Sequence, residues 1–149
     1  AMAECKAEID VVLGPGAPHI NKIRELVGSL PYNFTVHTDV RDMAAMMAAT
    51  DLVIGAAGTS SWERCCLGVP SIAIVTADNQ QDFASSLRAN GAAEVFDGRA
   101  EISAEVLGRK IRDLSNDVGR LNAMACAASK ICDGLGTERV FSAMTGIDA

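Results

Sequence analysis

The feature that most constrains this chain is a rhythm. Short apolar runs rich in Val and Ile stand at "IDVVLG" (9–14), "FTVH" (34–37), "DLVIGA" (51–56), "SIAIV" (71–75) and, more weakly, "AEVF" (93–96). Their centres lie roughly 20 residues apart and the segments between them carry helical spacing, which is the alternation of a parallel sheet with crossover helices. Continuous runs such as "LVIGA" suit strands covered on both faces. Ile20, Ile23, Leu26 and Val27 form one helical stripe, and Met43, Met46 and Met47 form another that reads as core rather than ligand. Beyond residue 100 the pattern is all helical: Val106, Leu107, Ile111 and Leu114 share one side, and further segments follow near 118–132 and 135–145. The expected fold is α/β, a doubly wound parallel sheet of five or six strands, in a single domain over residues 1–149 with a helical C-terminal tail.

A chain of 149 residues with 49% apolar and 21% charged residues has the balance of one globular domain. No apolar run approaches the roughly 18 to 20 residues of a membrane span, and "AMAECKAE" lacks the basic and apolar regions of a signal peptide. A cytoplasmic protein with no membrane span is expected. Residues 1–3 read as a cloning scar and the chain as a piece excised from something longer. A net charge of −6 opposes the many Lys and Arg contacts that nucleic acid demands, although a few local donors suffice for one small anion. The five cysteines (Cys5, Cys65, Cys66, Cys126, Cys132) match neither a CxxC pair nor a zinc pattern. They read as packing residues of a reducing compartment, with a redox pair at Cys65 and Cys66 as the alternative. His19 and His37 are too few and too separated for a metal site, so neither metal nor cofactor is expected.

In doubly wound folds the ligand lies beyond the carboxyl ends of the strands. The first loop there, "GPGAPH" (14–19), supplies Gly14 and Gly16 but lacks the last glycine of a dinucleotide fingerprint, and Asp39 is the nearest acid to its required position. No GxxxxGK[ST] loop and no GxSxG elbow occurs. The second loop opens "GAAGTSSWERCCLGVPS" (55–71). Gly55 and Gly58 permit a tight turn, and capping hydroxyls then lead into a helix whose first amides converge on an anion seat. Ser60 and Glu63 also fit an S-x-x-E capping box, while a carboxylate at that place equally accepts hydrogen bonds from ribose hydroxyls. The third loop, "TADNQQDF" (76–83), offers Asn79 and Gln80 to sugar hydroxyls or a phosphate, or Asp78 or Asn79 as a helix cap.

The run "TDVRDMAAMMAATDLVIGAAGTSSWERCCLGVPSIAIVTADNQ" (38–80) resembles the C-terminal domain of the PseG/SpsG group of nucleotide-sugar enzymes, UDP-sugar hydrolases that are related in turn to MurG-like transferases. The string "WERCCLG" carries most of the likeness, which thins beyond Asn90 to "NGAAEVFDG". The resemblance implies one Rossmann-like half of a GT-B fold. It implies that backbone near Val40 meets uracil, that Met43 packs beneath the nucleoside, and that Gly58, Thr59 and Ser60 take the diphosphate. Glu63 would then hold the ribose diol, and Asn79 with Gln80 the phosphate or sugar. The first loop reads "LGPGAPHINK" where the group more usually has "LGGSD", which leaves Gly14, Gly16 and His19 as candidate first-loop contacts.

The group's hydrolytic base is a histidine of the N-terminal half. The chain is therefore expected to bind UDP or a UDP-amino-sugar, to partner the missing N-terminal domain of the same polypeptide, and to carry no catalytic residue of its own. The main expectation is the UDP-sugar-binding domain of a PseG-like hydrolase in pseudaminic acid or related surface polysaccharide biosynthesis. The alternatives are the donor-binding half of a MurG-like glycosyltransferase and a non-catalytic nucleotide-sugar-binding module. A phospho-receiver is disfavoured because the first and third strands end in "LGPG" and "IGAAG" rather than in aspartates.

Overall fold

The computed structural model describes residues 7–100 and 102–147; Cys5 and the suspected scar at residues 1–3 lie outside them. The chain divides into two compact units between Met43 and Ala44.

In the first unit β1 (Glu8–Leu13), α1 (Ile20–Gly28) and β2 (Asn33–Thr38) make one β-α-β turn. The strands pair in parallel from Glu8 opposite Asn33 to Leu13 opposite Thr38. Along β1 burial alternates, so Ile9, Val11 and Leu13 share the covered side. On α1 the covered stripe is Ile20, Ile23 and Val27, whereas Leu26 is 58% exposed, contrary to the expected stripe. Six residues from Ile20, it sits about 240° around the helix. His37 Nε2 meets Asp10 Oδ1 at 2.6 Å and ties the two strands.

α2 (Met43–Ala48) opens at the boundary, with Met47 buried. The second unit then runs β3 (Val53–Ala56), α3 (Ser60–Cys66), β4 (Ser71–Val75), a 3-10 turn (Asp78–Gln80), α4 (Gln81–Ala89) and β5 (Ala93–Asp97), followed by α5 (Ala104–Ser115), α6 (Val118–Ser129) and α7 (Gly136–Thr145). Its sheet has the order β3-β4-β5, all parallel. The five strands are thus hydrogen-bonded as a pair and a triplet.

The strand covered on both faces is β4, not "LVIGA" as expected. β3 is an edge of the triplet, and its Ile54 is 43% exposed. Alternation in β4 sends side chains into two cores. Ala73 and Val75 pack with Cys65, Ala84, Leu87 and Ala128, while Ile72 packs with Leu114 and Met124. Fully burying side chains such as Ile72, Leu87 and Leu114 contributes about 1.5–3 kcal/mol each, which fastens α4 to one face and α5 to the other. Leu107 and Ile111 join Leu114 as expected, but Val106 is 49% exposed because it lies about 100° from Leu107. Glu94 of β5 adds a polar tie, pairing with Lys110 at 3.4 Å and with Arg120. Among the described residues no helix is long and apolar enough to cross a membrane.

Candidate functional site

Because β3 and β4 are parallel neighbours, the loops that leave their carboxyl ends emerge side by side. The Ala57 amide donates to the Ile74 carbonyl at 2.8 Å and carries that pairing one step past β3. The chain then turns into α3 through Ser61 N–H to Gly58 O at 2.9 Å and Trp62 N–H to Thr59 O at 3.0 Å. The amides of Gly58, Thr59 and Ser60 find no acceptor among the described residues. Those of Thr59 and Ser60 are among the orphan donors that a helix start leaves, and that of Gly58 precedes the cap.

The expected capping box does not form. Thr59 is the N-cap, it already has helical dihedrals (φ −57°, ψ −33°), and its side chain makes no capping bond. A capping side chain reaches the second or third amide from extended backbone, which Thr59 lacks. Ser60 is instead the first helical residue, and Glu63 is exposed.

The turn is held from behind by Arg64, a residue that the sequence reading did not single out. Only 3% exposed, it donates from Nη2 to Ala56 O at 2.9 Å and to Ser61 Oγ at 2.5 Å, and from Nη1 to Ser60 Oγ at 3.3 Å. Burial lowers its pKa from the ordinary arginine value. Gly55 makes the space: a Cβ there would stand 3.0 Å from Nη1. The signal was present, since an arginine three and four residues after two serines on one helix faces both hydroxyls.

From the neighbouring turn comes Gln80. Its Oε1 accepts from the Thr76 amide at 2.8 Å and the Thr76 hydroxyl at 3.1 Å, which fixes the carboxamide. Its Nε2 would lie 3.7 Å from a Cβ on Gly58, an ordinary contact distance that places the two turns beside each other. Asn79 is exposed beside it. The expectation of a cap at Asp78 or Asn79 fails as well: the caps are Ala77 and Gln80, neither with a side-chain capping bond. Asp78 is drawn instead to Arg99, whose guanidinium also binds Asp97 at 2.6 Å and holds that carboxyl down to about 2. Trp62 stacks on Phe83 of α4 with ring centroids 4.1 Å apart, a contact that the sequence did not signal.

The second unit therefore brings Gly58, Thr59, Ser60 and Gln80 together, with Glu63 and Asn79 exposed nearby in sequence. In the first unit Val40 and Met43 are half-buried, Gly14 and Gly16 stand in open space, and His19 is the exposed N-cap of α1 without a side-chain bond. Of the adjacent cysteines, Cys65 belongs to the core, where burial raises its thiol pKa, and Cys66 is exposed. The turn offers amides without an acceptor among the described residues and a buried guanidinium on the hydroxyls of Ser60 and Ser61, a combination that suits an oxyanion.

Residues 2–136 match the family described as the glycosyltransferase family 28 C-terminal domain. The UDP-N-acetylglucosamine--N-acetylmuramyl-(pentapeptide) pyrophosphoryl-undecaprenol N-acetylglucosamine transferase of Listeria monocytogenes serotype 4a (strain HCC23) is 34% identical over 123 residues, 78% of this chain and 34% of that protein. The spore coat polysaccharide biosynthesis protein SpsG of Bacillus subtilis (strain 168) is 30% identical over 82 residues, 55% of this chain and 24% of that protein. The chain spans about a third or less of the length of these relatives. In structure it is similar to MurG of Acinetobacter baumannii, with a TM-score of 0.79 at 22% identity, covering 98% of this chain and 44% of that one. This likeness shows the fold, a Rossmann-like GT-B half-domain.

Proposed function

This chain belongs to the glycosyltransferase family 28 C-terminal domains, and we propose that it is the nucleotide-sugar-binding half of a MurG-like glycosyltransferase, holding a UDP-sugar donor by its diphosphate. The observation that carries the reading is the set of Gly58, Thr59 and Ser60 amides without an acceptor among the described residues, on a turn that has the Gln80 carboxamide beside Gly58. Glu63 takes the ribose diol, and Asn79 with Gln80 the distal phosphate or the sugar. The expected nucleoside contacts at Val40 and Met43 and first-loop contacts at Gly14, Gly16 and His19 lie in the first unit and are not part of this seat. As the anomeric C–O bond breaks, charge develops on the departing UDP, and preorganised amides stabilise it without a metal. The group that accepts the acceptor's proton belongs to the N-terminal domain of the parent polypeptide, so this chain binds but does not turn over.

Similarity to the Listeria transferase favours this reading over the hydrolase expected from "WERCCLG", since the match to SpsG covers a shorter stretch. That string nonetheless keeps a second reading, a hydrolase in amino-sugar biosynthesis. UDP should bind the chain with a dissociation constant of roughly 0.1–1 mM, ahead of CDP and ADP. Equal affinity for all three would overturn the uracil assignment. With the N-terminal half restored, UDP release that depends on an acceptor hydroxyl identifies the transferase, and release in water alone identifies the hydrolase.

A further inference from the structure

The indole of Trp62 rests on the ring of Phe83, with centroids 4.1 Å apart and planes 28° from parallel. Phe83 packs against the core that holds Cys65, Ala84 and Leu87, so the stack is rooted in the fold. Trp62 itself stays 46% exposed. Its place gives that exposure a direction. Trp62 stands one helical turn beyond Gly58 and Thr59, whose carbonyls accept from the Ser61 and Trp62 amides, and Phe83 stands one turn beyond Asn79 and Gln80. The approach of Gln80 to Gly58 and the stack of Trp62 on Phe83 are therefore successive rungs between the two segments. Side chains on a helix tilt toward its N-terminus, so both rings lean toward the turns at the carboxyl ends of β3 and β4, the edge of a parallel sheet at which ligands sit. The polar groups one turn away are the Gln80 carboxamide, fixed by Thr76, and the exposed carboxamide of Asn79. A carboxamide both donates and accepts, as a sugar hydroxyl does. An apolar plate beside carboxamides matches a pyranose ring, which carries C–H bonds on its faces and hydroxyls around its rim.

We propose that Trp62 is a specificity-determining residue for the donor's sugar: its exposed indole takes the C–H face of a pyranose ring, while Asn79 meets hydroxyls at the rim. The inference rests on the functional reading above and deepens it, because it names the residue that separates a nucleotide sugar from the bare nucleotide. Phe83 holds the indole in place before the ligand arrives, so little side-chain freedom is lost on binding.

The test is proton NMR of the whole chain titrated with UDP-glucose, UDP-N-acetylglucosamine and UDP, with thermal melting alongside. In the wild type the ring C–H protons of a bound sugar should move upfield and receive magnetisation from the indole protons. Trp62→Leu keeps an apolar contact with Phe83 and removes the plate. It should weaken the sugar nucleotides roughly three- to tenfold while UDP stays within about twofold, and Trp62→Phe should restore most of the difference. The upfield shift is read on the wild type and decides the matter if Trp62→Leu does not fold. Sugar protons unmoved with both sugar nucleotides overturn this inference alone. Equal weakening of UDP and the sugar nucleotides in Trp62→Leu, the mark of a merely structural tryptophan, or no weakening of either, does the same. A wild-type chain that binds neither UDP nor either sugar nucleotide overturns the functional reading and this inference together.

Discussion

Gln80→Glu exchanges one NH2 group for an oxygen, and the structure separates what that exchange leaves alone from what it destroys. The oxygen that accepts from the Thr76 amide and hydroxyl at 2.8 and 3.1 Å remains an acceptor in glutamate. The 3-10 turn should therefore keep its shape, and stability should change by no more than about 0.5 kcal/mol. The other end of the side chain faces Gly58, and there a donor becomes an anion. Against a bound phosphate this removes a charge-assisted hydrogen bond worth about 1.5–3 kcal/mol. It also adds repulsion between charges some 5 Å apart, roughly 3 kcal/mol at an effective dielectric of 20 and about 1 kcal/mol after further discount for a half-exposed group. The sum, about 2.5–4 kcal/mol, predicts UDP binding weaker by roughly 100-fold or more. Gln80→Ala, which loses the donor without adding charge, should fall between. Trp62 is the chain's one tryptophan and stacks on the first turn of α4, so its fluorescence follows both ligand binding and unfolding. Affinity within threefold of wild type in Gln80→Glu would show that the carboxamide does not face the phosphate.

Three further outcomes follow from particular contacts. Glu63 makes no capping bond, so Glu63→Gln should leave thermal stability within about 0.5 kcal/mol while UDP affinity falls roughly tenfold; lost stability with intact binding would return Glu63 to a structural role. Gly98→Ala would set a Cβ 2.5 Å from Ile74 Cγ2 and 3.0 Å from the Val75 carbonyl, an overpacking cost of about 1–3 kcal/mol that lowers the melting temperature by roughly 3–10 °C. A melting temperature unchanged from wild type would mean that the end of β5 yields freely. The Asp97 carboxyl, held by Arg99, should titrate by NMR with a midpoint of about 2 rather than the ordinary 3.8. Because its folded-state pKa is the lower one, the pair's stabilising effect is present above the ordinary value and is lost as pH falls toward the depressed one, so wild type and Asp97→Asn should converge in stability over that window. A midpoint at the ordinary value would show that Arg99 is not engaged.

The strands were legible because a parallel sheet leaves long, uninterrupted signals: "SIAIV" is β4 residue for residue, and "AEVF" falls one residue short of β5. What the sequence hid was relation between elements. Nothing in "DLVIGA" says that its strand is an edge, so coverage on both faces was assigned to β3 and belonged to β4. Local capping rules also misled, since Ser60 and Asp78 have better partners at a distance, in Arg64 and Arg99. The turn between β3 and α3 was legible, because glycine spacing followed by hydroxyls is a local property of the backbone. Of Arg64, the pairing with Ser60 and Ser61 was legible in their spacing, but its burial was not, because that depends on what folds over it.

The way Ser60 and Ser61 are held has a consequence for anyone who would move this turn into another protein. A loop stabilised by its own cap travels as a cassette; this one does not. Its shape is written partly in Arg64, downstream on α3, partly in the missing side chain at Gly55, and partly in the Ile74 carbonyl of the adjacent strand. A transplant of residues 56–61 alone would arrive as a floppy run of small residues. The smallest portable unit runs from Gly55 through Arg64 beside a parallel strand that offers a free carbonyl.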